Sequence, residues 1–324
     1  MTRNSWGPIF LFVCLIHGCI SKTDEKENTV SGAFFNIKPS DTLQIVGPNI
    51  VSANLVEYNG TFSPDGTEFY CTVNFPSQAV ISFMKMNPDS TWGNLTIASF
   101  SGKHSDVDPI FSPDGTRLYF TSNRPSADSV KNSPNNIWYV ERAGAGWSSP
   151  KFIHLTGEVD YYSSVTKNGV IYFNVWKTGD IYRAVKTDSS YVTEKISEII
   201  NTDRADGDPF ISPDEDYIIF RSNNREDSFG GSDLYISFKI KDQWTNPENL
   251  GEPINSPAAE LCPLVTPDGK LFIFSSTRLK KEYTPEPLAD LESYRKKFRS
   301  FDNGLSNVYA ISADFIDSLR KKHQ

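Results

Sequence analysis

One pattern recurs along this chain and limits what it can become: an apolar residue, then Ser or Thr, Pro, Asp and Gly. It stands as Phe62-Ser63-Pro64-Asp65-Gly66, Phe111-Ser112-Pro113-Asp114-Gly115, Ile211-Ser212-Pro213-Asp214-Glu215 and Val265-Thr266-Pro267-Asp268-Gly269. Val165-Thr166-Lys167-Asn168-Gly169 is a degenerate fifth copy. The Ser or Thr positions, 63, 112, 166, 212 and 266, are separated by 49, 54, 46 and 54 residues. Pro presets φ for the first central position of a turn, Asp bonds back to the backbone, and Gly accepts positive φ. A turn repeated at that period suits a four-stranded blade with its loops.

The residues around each turn supply the strands. A β-rich run follows the turn at Leu118-Tyr119-Phe120, Ile171-Tyr172-Phe173, Ile218-Ile219-Phe220 and Leu271-Phe272-Ile273-Phe274. A third strand is marked by Asn136-Ile137-Trp138-Tyr139, Asp180-Ile181-Tyr182, Asp233-Leu234-Tyr235 and Asn307-Val308-Tyr309. An outer strand is expected around Trp147-Ser148-Ser149-Pro150 and Trp244-Thr245-Asn246-Pro247, where Pro suits an edge. These motifs resemble the TolB-type, WD40-like propeller repeats over nearly all of the chain after residue 43. The expected fold is all-β: a single β-propeller of five blades of four antiparallel strands, with an α-helical insertion in the last blade. Six blades are the alternative. The last repeat runs short of an outer strand, so residues 43–52 are expected to complete it and close the ring, removing exposed edges.

Composition agrees with this class and excludes others. Tyr 14, Phe 22 and Trp 6, with Gly and Pro at 20 each, favour short strands and tight turns. A net charge of −8 opposes general nucleic-acid binding. Cys71 and Cys262 are the cysteines of the propeller region; no CxxC or Cys/His cluster suggests zinc. Two buried thiols are the favoured reading, and a disulfide between first and last blades is the other.

The beginning of the chain carries an address. Arg3, an apolar run over residues 9–16 and His17-Gly18 before Cys19 have the order of a secretory signal. Ile16-His17-Gly18-Cys19 resembles the bacterial lipobox, which implies lipidation of Cys19; His17 stands where a small residue is usual. An ordinary signal peptide that contains a cysteine is the alternative. Ser21-Lys22-Thr23-Asp24-Glu25-Lys26-Glu27 looks like the export signal of surface lipoproteins in Bacteroidetes-type bacteria. The organisation expected is a signal peptide at 1–18, a lipidated cysteine and flexible tether at 19–42, a propeller at 43–316 and a tail at 317–324. The location implied is the outer membrane through the lipid anchor.

Six residues before each repeated Ser or Thr stands an acid: Glu57, Asp106, Asp160, Asp206 and Glu260. They are expected to ring one mouth of the channel, where they can bind a ligand or calcium. The favoured reading is that they join Arg124, Arg225 and Arg278 in bridges between blades. Asp108 and Asp208, two residues further on in two repeats, read as local variation of the scaffold. A helix is expected in the insertion at residues 283–302, either covering the channel mouth, the favoured reading, or offering Tyr294, Arg295, Lys296, Lys297 and Phe298 to a partner. No nucleophile elbow or HExxH motif occurs. The expected function is non-catalytic binding of a protein or glycan through the loop-rich face, as a monomer or within a complex, with no cofactor. A glycan-cleaving propeller using carboxylates near the channel is the alternative.

Overall fold

The computed structural model describes residues 31–126, 135–279, 290–299 and 301–323. The signal peptide and Cys19 lie outside the described residues. Five antiparallel sheets follow one another along the chain. Blade 1 holds Val56–Phe62, Glu68–Asn74, Ala79–Lys85 and Thr96–Ile97, from the axis outward. Blades 2, 3 and 4 begin at the axis with Asp106–Phe111, Asp160–Val165 and Asp206–Ile211. Blade 5 has Glu260–Val265, Leu271–Ser276 and Asn307–Ser312 and takes its fourth strand from the other end of the chain. That strand is Gln44–Ile45, with Gln44 opposite Ala310 and Ile45 opposite Tyr309. The ring is therefore five-bladed and closed as the repeats predict.

The repeated turn works as its residues dictate. In blade 2 the Ser112 hydroxyl donates to Asp114 at 2.6 Å, Asp114 accepts the Thr116 N–H at 3.0 Å, and Gly115 N–H returns to Ser112 O at 2.8 Å. Second strands such as Leu271–Ser276 are buried along their whole length because neighbouring blades cover both faces. The outer strands differ from expectation. In blade 2 Gly146–Trp147 and Lys151–Phe152 pair separately with the third strand, so Pro150 lies in the break and not within a strand. Blade 4 breaks in the same way around Pro247. Cys71 and Cys262 are both buried free thiols.

Both ends of the described chain fasten to the face that carries the repeated turns, here called the lower face. Residues 31–42, expected to be tether, are instead seated on blade 1. Phe34 N–H donates to Gly66 O at 3.0 Å, and Gly32 N–H to Ser90 O at 2.8 Å. Phe35 is 7% exposed and meets Phe62, Phe69 and Trp92 at ring separations of 5.1, 5.1 and 4.4 Å. Gly66, at φ +69, could not be replaced here: an added Cβ would stand 2.6 Å from the Phe34 ring. Two aromatic side chains in a polar stretch account for the difference, since burying them outweighs the entropy of a free tether. At the other end the helix Phe315–Arg320 replaces the start of the expected tail. Beyond it Lys322 and His323 reach Glu248 of blade 4 at 3.0 and 2.6 Å. Phe35→Ala should lower stability by about 3–5 kcal/mol, as for a buried aromatic in any core. Urea unfolding measures this, and an unchanged midpoint would show that the segment merely lies on the surface.

Candidate functional site

The five acids start the innermost strands on the upper face, opposite the repeated turns, and none opens to the axis. Asp106 accepts from Ser101 and Ser122 hydroxyls at 2.8 and 2.6 Å and from Arg124 at 2.6 Å. Asp206 takes the Thr202 N–H at 2.7 Å and Arg225 at 2.9 Å. Glu260 takes the Ser256 N–H at 3.0 Å, Ser276 at 2.7 Å and Arg278 at 3.2 Å. Asp160 holds the Thr156 N–H at 3.2 Å, and Glu57 the Ala53 and Leu55 N–H groups at 3.4 and 3.3 Å. Burial raises Glu57 and Glu260, and lifts Asp160 to about 6. Each acid thus caps the loop that enters its own blade, and its lone pairs are spent on protein donors, not turned toward an axial calcium ion.

The acid–Arg bridges lie within blades, correcting the expectation that they join neighbours. Arg124 meets Asp106 of the same blade and sits over Phe120 and Trp138 at 5.0 and 5.4 Å. Arg225 lies over Phe220 and Tyr235, and Arg278 over Phe274 and Tyr309. What each Arg does across the seam is made with its other bonds. Arg124, Arg225 and Arg278 donate to Phe100, Ile200 and Ile254 carbonyls at 3.1, 2.7 and 2.6 Å, on the segments arriving from the preceding blades.

A different set of residues converges on the axis. Two positions after each acid the innermost strand bulges, and Asn59, Asp108, Tyr162, Asp208 and Cys262 all have positive φ, from 46 to 57°. Around two of these bulges gather Asp108, Asp208, Arg221, Tyr58 and Tyr161. Arg221 Nε lies 3.1 Å from Asp208 Oδ2, which also accepts the Cys262 N–H at 3.3 Å. Asp108 Oδ1 accepts from Asn59 Nδ2 at 3.3 Å, whereas Oδ2 is buried without a hydrogen-bond partner. Burial, followed by the charge of Asp208, lifts Asp108 to about 8, and Asn59, Tyr161 and Arg221 offset this only in part. The Tyr161 phenol is pushed up first by Asp108 and then by burial, with smaller contributions from Tyr58, Asp208 and Cys262. All of these groups are therefore within electrostatic reach of one another. Asp108 is a carboxyl that keeps its proton at neutral pH and can donate it in a hydrogen bond.

The loops of the upper face carry apolar side chains as a rim, and Ile97, Val185 and Val192 are exposed on the strands of blades 1 and 3 as well. Among the described residues, Leu55, Phe75, Trp176, Phe229, Leu279 and Leu305 are exposed large hydrophobic side chains on loops of the upper face. Trp176 is 66% exposed and packs on Tyr161 with ring centroids 6.0 Å apart. The expected helix is present but shorter, at Leu291–Phe298, capped by Asp290, which accepts the Ser293 N–H at 2.8 Å. Arg295 on it is exposed, 3.8 Å from Glu292, and Phe298 is half-buried. The side chains of Tyr294, Lys296 and Lys297, and residues 283–289 of the insertion, lie outside the described residues. Sequence reading missed Tyr58, Tyr161, Arg221 and Trp176. The available signal was variation: the bulge position is Asn, Asp, Tyr, Asp and Cys in the five repeats, while the position two before it is always an acid.

No family model matches the chain, and no curated protein matches it in sequence. Among solved structures it is similar to a protein assigned as TolB from Agrobacterium tumefaciens, at 15% identity and TM-score 0.45, covering 80% of this chain and 90% of that one. TolB from Acinetobacter baumannii matches at 13% identity and TM-score 0.45, over 79% of this chain and 54% of that one. A mutant of the GH43 protein BlXynB from Bacillus licheniformis matches at 15% identity and TM-score 0.45, over 74% and 52%. The chain spans about half the length of the last two.

The raised Asp108 carboxyl has a consequence for stability. The folded protein holds this proton between pH 3.8 and about 8, where the unfolded chain has released it. Stability from this group is therefore full below pH 3.8 and is lost as pH rises toward about 8. Asp108→Asn should flatten that decline and unfold at higher urea than the parent at alkaline pH. Asn tolerates the φ of 57° there, as Asn59 does at 50° in the equivalent place. Parallel stability curves for the two proteins from acid to alkaline pH would refute the assignment.

Proposed function

We propose that this chain is a lipid-anchored protein of the bacterial outer membrane that recognises a protein or glycan through the upper face, without converting it. The observation that carries the reading is the apolar rim. Exposed aromatic and aliphatic side chains on one face, set around polar groups, are the composition of a recognition surface. The chain's geometry suits an anchored role: Ser31–Asn36 attaches at the lower face, so a tether from Cys19 leaves from there and the loops point away from the membrane. Lipidation of Cys19 and outer-membrane residence, with or without exposure at the cell surface, belong to this proposal.

Two measurements test it. Radiolabelled fatty acid should enter the parent and not Cys19→Ala, and labelling of both or neither would remove the anchor. Cross-linking on intact membranes should capture a defined partner, with Trp176→Ala/Phe229→Ala reducing capture by about tenfold or more. Equal capture by the double variant would move recognition to another face.

A glycan-cleaving role is the second reading, and one observation favours it. Asp108, lifted to about 8 by burial and by the neighbouring charge of Asp208, has the protonation of a general acid in a cluster that also holds a second acidic side chain. On that reading Asp108→Asn abolishes release of reducing sugar while its melting temperature is maintained. Absence of release by the parent protein on every glycan tried would leave recognition alone.

A further inference from the structure

We propose that the axial cluster binds one unit of a neutral saccharide, with the sugar's apolar face on Trp176 and its hydroxyls on Tyr161, Tyr58, Asp208 and Arg221. This rests on the upper face being the recognition surface, and it names the chemistry of what is recognised at the axis.

The platform is built to stay in place. Trp176 stands on a short turn between the second and third strands of blade 3, where Gly179 N–H donates to Val175 O and Trp176 N–H to Val159 O, both at 3.0 Å. The indole is 66% exposed although Tyr161 lies beside it, so much of its area remains in water. An apolar ring held outward on a fixed turn gains free energy when a flat apolar surface covers it. Tyr161 then leads inward, since its phenol is within reach of Asp108 and Asp208.

The charges at the axis choose among ligands. A metal cation would meet the Arg221 guanidinium, which is fixed 3.1 Å from Asp208. An anion would meet Asp208, to which the Arg221 guanidinium is already committed. A purely apolar molecule would strip water from Asp208, Arg221 and both phenols and return no hydrogen bond. A neutral polyhydroxylated ring satisfies every group: its hydroxyls donate to Asp208 and accept from Arg221, the phenols and the protonated Asp108. Asp108 Oδ2, buried and short of a close hydrogen-bond partner, has the Tyr161 phenol as its polar neighbour, so a ligand at that phenol is also linked to the carboxyl. Asp108 is only 2% exposed, so the phenols of Tyr58 and Tyr161, both partly exposed, meet the sugar first.

Titration of the full propeller with neutral hexose and pentose oligosaccharides, followed by tryptophan fluorescence and calorimetry, tests this. At least one series should give saturable quenching, and Trp176→Ala should weaken its calorimetric affinity by about tenfold, the scale of one aromatic stacking contact. Tyr161→Phe, which removes only a hydroxyl, should weaken it as well while melting like the parent. No saturable change with any sugar at millimolar concentration overturns the proposal, and so does unchanged affinity in Trp176→Ala. If a protein partner is still captured by the upper face in that case, the recognition reading survives and only the saccharide is lost. Release of a shorter sugar from the bound oligosaccharide would support the site and overturn its non-catalytic character.

Discussion

The ring is held at its centre by an interaction that recurs at three of its seams: a bulged backbone N–H of an innermost strand captured by a hydroxyl of the blade before it. Asn59 N–H donates to Ser275 Oγ, Asp108 N–H to Thr72 Oγ1 and Tyr162 N–H to Thr121 Oγ1, all at 3.0 Å. The bulge frees an N–H from its own ladder and turns it sideways, and the neighbour's hydroxyl satisfies it where water is excluded. The bond from Asn59 to Ser275 joins blade 1 to blade 5, so ring closure uses the same device at the axis that the strand pairing of Gln44 and Ile45 completes at the rim. A ring so built has no free edge to protect.

That device explains the exception between blades 4 and 5. At this position blades 1, 2 and 5 have Thr72, Thr121 and Ser275, blade 3 has Asn174, and blade 4 has Arg221, which cannot accept a hydrogen bond. Asp208 stands in: its Oδ2 accepts the Cys262 N–H and pairs with Arg221 at once. Asp208 and Arg221 therefore have a structural duty, and removing either leaves a buried charge exposed to the other's loss. Asp108 is placed differently. Its N–H reaches Thr72, its Oδ1 accepts from Asn59, and the Tyr161 phenol of blade 3 lies against the carboxyl. Burial and the charge of Asp208 outweigh these partners, so the carboxyl costs stability at neutral pH.

The parts of this structure that follow from short-range chemistry were legible in the sequence. Ser-Pro-Asp-Gly writes a turn wherever it falls, and its period gave five blades; the missing outer strand of the last repeat gave the closure by residues 43–52. The acids were found because they recur, but their recurrence marked a local cap for the entering loop and not a ligand ring. Their Arg partners were also visible, yet strand spacing alone does not say whether a bridge stays within a blade. Tyr58, Tyr161, Asp108, Asp208 and Arg221 come from blades 1 to 4 and are far apart along the chain. Only the bulge, a backbone conformation shared by Asn, Asp, Tyr and Cys, brings such positions to one axis, and no residue pattern announces it.

The two faces of the ring divide the work for a physical reason. The lower face holds the repeated turns, and both ends of the chain are tied down there, Phe35 into blade 1 and Lys322 and His323 onto blade 4. Changes on that side disturb closure. The upper face begins above the capped acids, which fix where each innermost strand starts whatever the loops beyond them carry. Because Asp106, Asp206 and Glu260 bind their entering loops and an Arg within the same blade, the loops after the second strands can vary in length and sequence without loosening the frame. Exposed apolar side chains are costly to leave in water, and this chain places several of them, Trp176 and Phe229 among them, on the face whose geometry the frame does not need. That placement is intelligible if the face is kept for contact with something else.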